Sequence, residues 1–135
     1  MSVRYLLDTN ICIYIAKHNP ARVRERFAAH ASAELGMSVI TLGELRFGAE
    51  KSQSRERALA VIERLESLIQ VLPLEETAGA HYGQIRAELS ARGQIIGGND
   101  LWIAAQAQAA DLTLVSNNLR EFQRIPDLRL ENWAD

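Results

Sequence analysis

Three acidic residues stand where apolar runs give way to helix-forming sequence. They are Asp8 in Leu6-Leu7-Asp8-Thr9-Asn10, Glu44 in Thr41-Leu42-Gly43-Glu44-Leu45, and Asp100 in Gly97-Gly98-Asn99-Asp100-Leu101-Trp102. An ionised carboxylate on an apolar background needs compensation. If the strands before these residues run parallel in one sheet, all three acids gather near the same edge. Such a cluster repels itself, and a divalent cation is its natural counter-charge. Magnesium prefers oxygen ligands of this kind and keeps several waters for chemistry. Hydrolysis of a phosphodiester needs an activated water, a stabilised anionic transition state and a departing oxygen, and bound magnesium serves each need. On this reading Asp8 and Asp100 are direct or water-bridged metal ligands, and Glu44 completes the site or orients the attacking water. Thr9, Ser116, Asn117 and Asn118 are neutral groups that orient the carboxylates by hydrogen bonds without adding charge.

Each acid also has a structural explanation. Asp8 can form an Asx-turn or cap the helix after it. Thr41-Leu42-Gly43-Glu44 fits a capping box, with Glu44 reaching back to a backbone N–H. Asp100 follows Asn99 at a helix start, where the helix dipole favours negative charge. Singly, these readings compete well, except at Asp8, where a carboxylate directly follows a buried strand. Jointly, three acids on one edge are harder to explain as three independent caps.

The elements that must position them follow from the apolar pattern. Short apolar runs at Val3–Leu7, Leu35–Val39, Val71–Leu74 and Thr113–Ser116 read as buried strands, with Leu128–Leu130 a last edge strand. Helices are expected over Asn10–Lys17, Thr41–Lys51, Ser54–Gln70, Glu75–Arg92 and Asn99–Ala110. In the third of these, Leu59, Ile62, Leu65, Leu68 and Ile69 recur near the helical period. A further helix starts at Asn19-Pro20, with Asn19 as cap and Pro20 in the first turn. Gly93 is a helix stop, Gln94–Gly98 a loop, and the alanines of the Asn99–Ala110 helix permit close packing on a sheet. Strands alternating with helices predict an α/β fold, a central parallel sheet flanked by helices on both faces. Ligands of such sheets bind beyond the carboxyl ends of the strands, where Asp8, Asn117 and Asn118 fall, with Glu44 and Asp100 leaning over from the first turns of their helices.

A chain of 135 residues suits one domain, residues 1–135, with a real core. The net charge of −2 gives no global signal for nucleic acid, but thirteen of the fifteen basic residues are arginine, which suits local phosphate recognition. Arg22, Arg24 and Arg26 are the densest group and also read as a solvated helix face. One cysteine, Cys12 between Ile11 and Ile13, rules out a disulfide framework within the chain and fits a reducing cytosol and a buried structural thiol. The histidines, His18, His30 and His81, have no zinc spacing, and Gly97-Gly98 is too short for a phosphate loop. No apolar run approaches the roughly 20 residues of a membrane span, and Met1–Leu7 lacks a signal-peptide pattern.

The chain resembles the PIN-domain ribonucleases, and within them the VapC toxins of bacterial toxin–antitoxin pairs. Four blocks carry the resemblance: Leu6-Leu7-Asp8-Thr9-Asn10; Thr41-Leu42-Gly43-Glu44-Leu45 with Gly48-Ala49-Glu50-Lys51-Ser52; Ile96-Gly97-Gly98-Asn99-Asp100-Leu101-Trp102-Ile103-Ala104-Ala105; and Leu114-Val115-Ser116-Asn117-Asn118-Leu119-Arg120-Glu121-Phe122. They run in family order and span nearly the whole chain. The resemblance implies a cytoplasmic, magnesium-dependent endoribonuclease (manganese a substitute) with Asp8 and Asp100 at the metal and Glu44 as the further acid. It implies a cognate antitoxin, a homodimer, and an RNA substrate, the transfer RNA anticodon stem-loop being the first candidate because unpaired bases are readily read. Where many PIN domains carry a fourth acid, this chain has Ser116-Asn117-Asn118. Glu121 lies nearby, with a salt bridge on a short helix as its expected role. An antitoxin tail is expected to place a basic side chain at the acids and apolar groups in a groove around Ile11, Ile15 and Phe47. Two alternatives are a PIN-like domain that binds RNA or protein without cutting, and a haloacid-dehalogenase-type phosphatase. The latter needs an aspartate where Asn10 stands, and only Lys17 and Lys51 are available as its lysine.

Overall fold

The computed structural model describes residues 2–135. Its strands are β1 (Tyr5–Leu7), β2 (Leu35–Ser38), β3 (Gln70–Leu72), β4 (Thr113–Val115) and β5 (Leu130–Glu131). They form one sheet in the order β3-β2-β1-β4-β5, and every neighbouring pair is parallel. The helices are α1 (Thr9–Lys17), α2 (Ala21–Ala28), α3 (Val39–Glu50), α4 (Arg55–Leu68), α5 (Glu76–Ala91), α6 (Gly98–Ala109) and the single turn α7 (Leu119–Phe122), with a 3-10 turn at Ser32–Glu34. The expected α/β architecture is present.

Alternation along β1 divides the core. Leu6 faces a cluster built with Leu114, Ile85 and Leu89 of α5, and Leu101, Ala104 and Ala105 of α6. Tyr5 and Leu7 face the other cluster, with Ile11, Cys12 and Ile15 of α1, Leu65 of α4, Met37, Val115 and Trp133. Adjacent strand residues point to opposite faces, so a strand buried on both sides reads as a continuous apolar run. Burying each leucine of this kind stabilises the fold by about 1.5–3 kcal/mol. Cys12 is fully buried, its thiol pushed far up by burial and then by Asp8, so it is an inert core group.

Several expected boundaries move, each for a local reason. The second helix is not capped by Asn19. Pro20 is the flanking residue, without a side-chain cap, because the Asn19 N–H turns back to Tyr14 O and closes α1. Helix α3 starts two residues before Thr41, because the Ser38 hydroxyl accepts the Ile40 N–H and caps it. Glu44 therefore stands in the second turn of α3, and the expected capping box at Thr41 does not form. The last strand lies at Leu130–Glu131, paired with Leu114 and Val115, so Leu128 packs on the core from outside the ladder. Gly93 does end its helix region, in the left-handed conformation at φ 66°.

Candidate active site

The carboxyl ends of β1 and β4 build the floor of the site. Asp8 directly follows β1, and its N–H bonds to Val115 O at 3.0 Å, extending the ladder by one residue. Its side chain caps α1, accepting the Ile11 N–H at 3.0 Å. Capping uses one oxygen, Oδ1, so the structural reading of Asp8 and a chemical one are compatible. Asp8 is 5% exposed. Burial raises its pKa; the Ser116 hydroxyl and the Ile11 N–H oppose the rise, and the Glu44 charge adds to it.

A cleft of about 210 Å³ opens over this floor, lined by Asp8, Thr9, Asn10, Glu44, Asp100 and Asn118. Helices α1, α3 and α6 contribute the walls. Thr9, the first residue of α1, donates its hydroxyl to Glu44 Oε1 at 2.6 Å. Asp100 is the third residue of α6, whose N-cap Gly97 makes no side-chain cap bond. Burial is the main cause that pushes the Asp100 carboxyl up to about 6, followed by the charges of Asp8, Glu44 and Glu121. No ion pair among the described residues involves any of these four acids.

The neutral groups divide. Ser116 is fully buried, stands beside Asp8 and accepts the Asn118 N–H at 2.9 Å. Asn118 lines the cleft. Asn117 does not: its amide donates to the Tyr14 hydroxyl at 2.8 Å and braces α1. Glu121 makes no ion pair among the described residues; its charge is felt at Asp100 instead. Sequence reasoning passed over Asn10, although it adjoins Thr9 in the same block, and Thr41, read there as a cap.

Among the described residues no three His, Cys, Asp or Glu side chains form a ready-made metal cage. The donor set nonetheless fits a hard divalent cation. Every candidate ligand atom is oxygen, and the acids that converge on the cleft put several negative charges side by side, with those of Asp8, Glu44 and Glu121 each felt at Asp100. Cations such as magnesium bind through one or two carboxylates with water completing the shell, so a full protein cage is not required.

A larger, mostly apolar groove of about 650 Å³ runs between α1, α3 and α4, shares Thr9 and Glu44 with the cleft, and is lined by Ile13, Ala16, Leu45, Val61 and Ile62. Ile11 and Ile15 are not part of it, because they face the core. Phe47 lines a separate hollow on the other flank of Glu44 and is 66% exposed.

A parallel five-stranded sheet carrying an acidic cleft at its carboxyl edge is the architecture of a PIN domain, and the PIN domain family matches residues 5–128. The chain belongs to the PIN-domain family. It is 49% identical over 132 residues to "Ribonuclease VapC2" of Haemophilus influenzae, covering 98% of this chain and 99% of that protein. It is 48% identical over 132 residues to "tRNA(fMet)-specific endonuclease VapC" of Shigella flexneri, with the same coverage. A chain of the crystal structure of DNA-bound VapBC from Salmonella typhimurium superposes with a TM-score of 0.91 at 47% identity, covering 97% of this chain and 98% of that one. Nucleases of the PIN family generally depend on a divalent metal. Among the described residues no helix is long and apolar enough to cross a membrane.

Proposed function

We propose that this protein is a magnesium-dependent endoribonuclease, the toxin of a VapC-type toxin–antitoxin pair, acting in the cytoplasm on transfer RNA. The observation that carries the reading is the convergence of Asp8, Glu44 and Asp100 on one cleft that no basic side chain lines among the described residues. Relatives named as VapC ribonucleases and as a tRNA(fMet)-specific endonuclease support the reaction and the substrate class.

Asp8 and Asp100 are the residues that would hold the metal. Bound magnesium, or manganese in its place, supplies positive charge that stabilises the anionic transition state and the departing oxygen. Glu44, fixed by Thr9, orients the attacking water and accepts its proton. Asn118 faces the same space as a neutral donor, and Ser116 steadies both Asp8 and the backbone of Asn118. Asn117 acts at one remove, holding Tyr14 in the second half of α1.

The apolar groove beside the cleft suits a cognate antitoxin segment, with a basic side chain near the acids. The homodimer remains what the family resemblance implies. The phosphatase alternative finds no lysine at the cleft: Lys17 lines the apolar groove and Lys51 sits over the Phe47 ring at 4.9 Å. The non-cleaving alternative is separated by assay. A tRNA(fMet) transcript incubated with the purified chain should be cut in magnesium and spared in EDTA. Intact RNA in both, with bulk cellular RNA also spared, would overturn the enzymatic reading.

A further inference from the structure

Thr41 is a fully buried hydroxyl residue that caps nothing. Its Oγ1 lies 3.2 Å from Thr9 Oγ1, which in turn lies 2.6 Å from Glu44 Oε1. Counting protons gives the chain a direction. Each threonine hydroxyl carries one proton. An ionised carboxylate only accepts, so the Thr9 proton points to Glu44. The Thr9 oxygen is then free to accept, and the Thr41 proton points to Thr9. The shorter link is the one to the charged group, as expected for a charge-assisted bond.

The placement gives the relay its reach. Thr41 and Glu44 are three residues apart on α3 and so share a helix face. Thr9 opens α1, directly after Asp8. The two hydroxyls therefore tie the first turn of α1 to α3, next to Asp8 in sequence. The tie commits Oε1 of Glu44, whose side chain also lines the cleft.

We infer that Thr41 is a positioning residue, acting through Thr9 to hold the Glu44 carboxylate in its working orientation. This inference rests on the proposed role of Glu44 in RNA cleavage. Without Thr41, Thr9 retains its bond to Glu44 but loses the partner that fixes its own rotamer, and the carboxylate gains freedom. Removing an outer hydrogen-bond partner of this kind typically costs about 10–100-fold in activity.

Thr41→Val preserves shape and deletes the hydroxyl, whereas Thr41→Ser preserves the hydroxyl. On the tRNA(fMet) transcript, or on bulk cellular RNA if that is the better substrate, Thr41→Val should lower kcat at least about 10-fold with KM nearly constant. Thr41→Ser should restore most of the loss, and both should melt close to the parent. Proton NMR supplies a readout independent of turnover. The Thr9 hydroxyl proton should resonate downfield and exchange slowly; Thr41→Val should move it and Thr41→Ser should return it. Glu44→Gln separates the two levels of the claim. If Glu44→Gln cleaves like the parent, the proposed role of Glu44 is wrong. If Glu44→Gln is inactive while Thr41→Val has parental kcat and an unmoved Thr9 proton, the relay alone is overturned. Equal losses in Thr41→Val and Thr41→Ser would overturn it as well.

Discussion

The two ends of strand β1 treat charge in opposite ways. At the amino end Arg4 pairs with Glu34 at 3.1 Å, and the Arg4 N–H bonds to Glu34 O at 2.8 Å. His30 stands 3.7 Å from the same carboxylate and stacks on Trp133. At the carboxyl end, four residues later, Asp8 meets Glu44 and Asp100 with no cation among the described residues to answer them. The consequence is opposite proton affinities. The Arg4 hydrogen bond is the main cause that holds Glu34 below its ordinary value, whereas burial first and like charges second push Asp100 up to about 6. Folding stability alone favours the first arrangement. The second makes sense where a ligand supplies the missing charge, as the proposed metal would.

The comparison is broken most severely by neutralising the cleft. Asp8→Asn and Asp100→Asn should each lower magnesium-dependent RNA cleavage by on the order of 10²–10³-fold or more, since loss of metal charge removes several kcal/mol of transition-state stabilisation. In EDTA, Asp100→Asn should melt at or above the parent temperature, because repulsion from Asp8, Glu44 and Glu121 falls. Cleavage at the parental rate by either variant would remove that residue from the site.

A pH series sharpens the comparison, because the two ends carry opposite slopes. Between about pH 4 and 6 an unfolded Asp100 has lost its proton while the folded one retains it. The folded state then binds more protons, so the contribution of Asp100 to stability falls as pH rises through this window. Glu34, whose folded value is lowered from 4.5, contributes stability that is present above about pH 4.5 and lost as pH falls through its folded value. Melting temperatures measured in EDTA should thus change in opposite senses on substitution. Asp100→Asn should flatten the decline above pH 4, and Glu34→Gln should flatten the acid loss below 4.5. With metal present, cleavage should fall away below about pH 6 as protons compete for Asp100. Parallel pH curves for Asp100→Asn and the parent would contradict the burial and repulsion described here.

The smallest effect is expected at the amino end. Arg4 is 64% exposed, and exposed ion pairs contribute about 0–1 kcal/mol. Arg4→Ala should shift the melting temperature by no more than a few degrees and leave RNA cleavage unchanged. A large loss of cleavage in Arg4→Ala would mean that the two ends are coupled through β1.

Much of the architecture was legible in the chain because it depends on local pattern. Apolar runs such as Tyr5-Leu6-Leu7 identify strands buried on both faces, and an acid directly after such a run falls at the carboxyl edge of a parallel sheet. The blocks around Asp8, Glu44, Asp100 and Ser116 also carried the family, which the comparisons bear out. Where local rules competed, the reading slipped. Ser38 and Thr41 are both plausible helix caps by type, and the choice went to Ser38 because β2 ends there and its hydroxyl reaches the Ile40 N–H. Asn19 is a good cap by type but was drawn into the end of α1.

By itself, then, the sequence determined the alternation of strands and helices, the gathering of three acids at one sheet edge, and the family. Periodicity and residue type act over a few residues, and these features need no more. Only the tertiary structure decided what each side chain meets. Asn117 and Asn118 are indistinguishable by type, yet one braces Tyr14 and the other faces the cleft. Thr41 became a partner of Thr9, 32 residues away, rather than a cap, and Glu121 became a fourth negative charge near Asp100 rather than half of a salt bridge. Such pairings depend on how α1, α3, α6 and α7 seat on the sheet to within a hydrogen bond's tolerance, and packing across the whole core sets that distance.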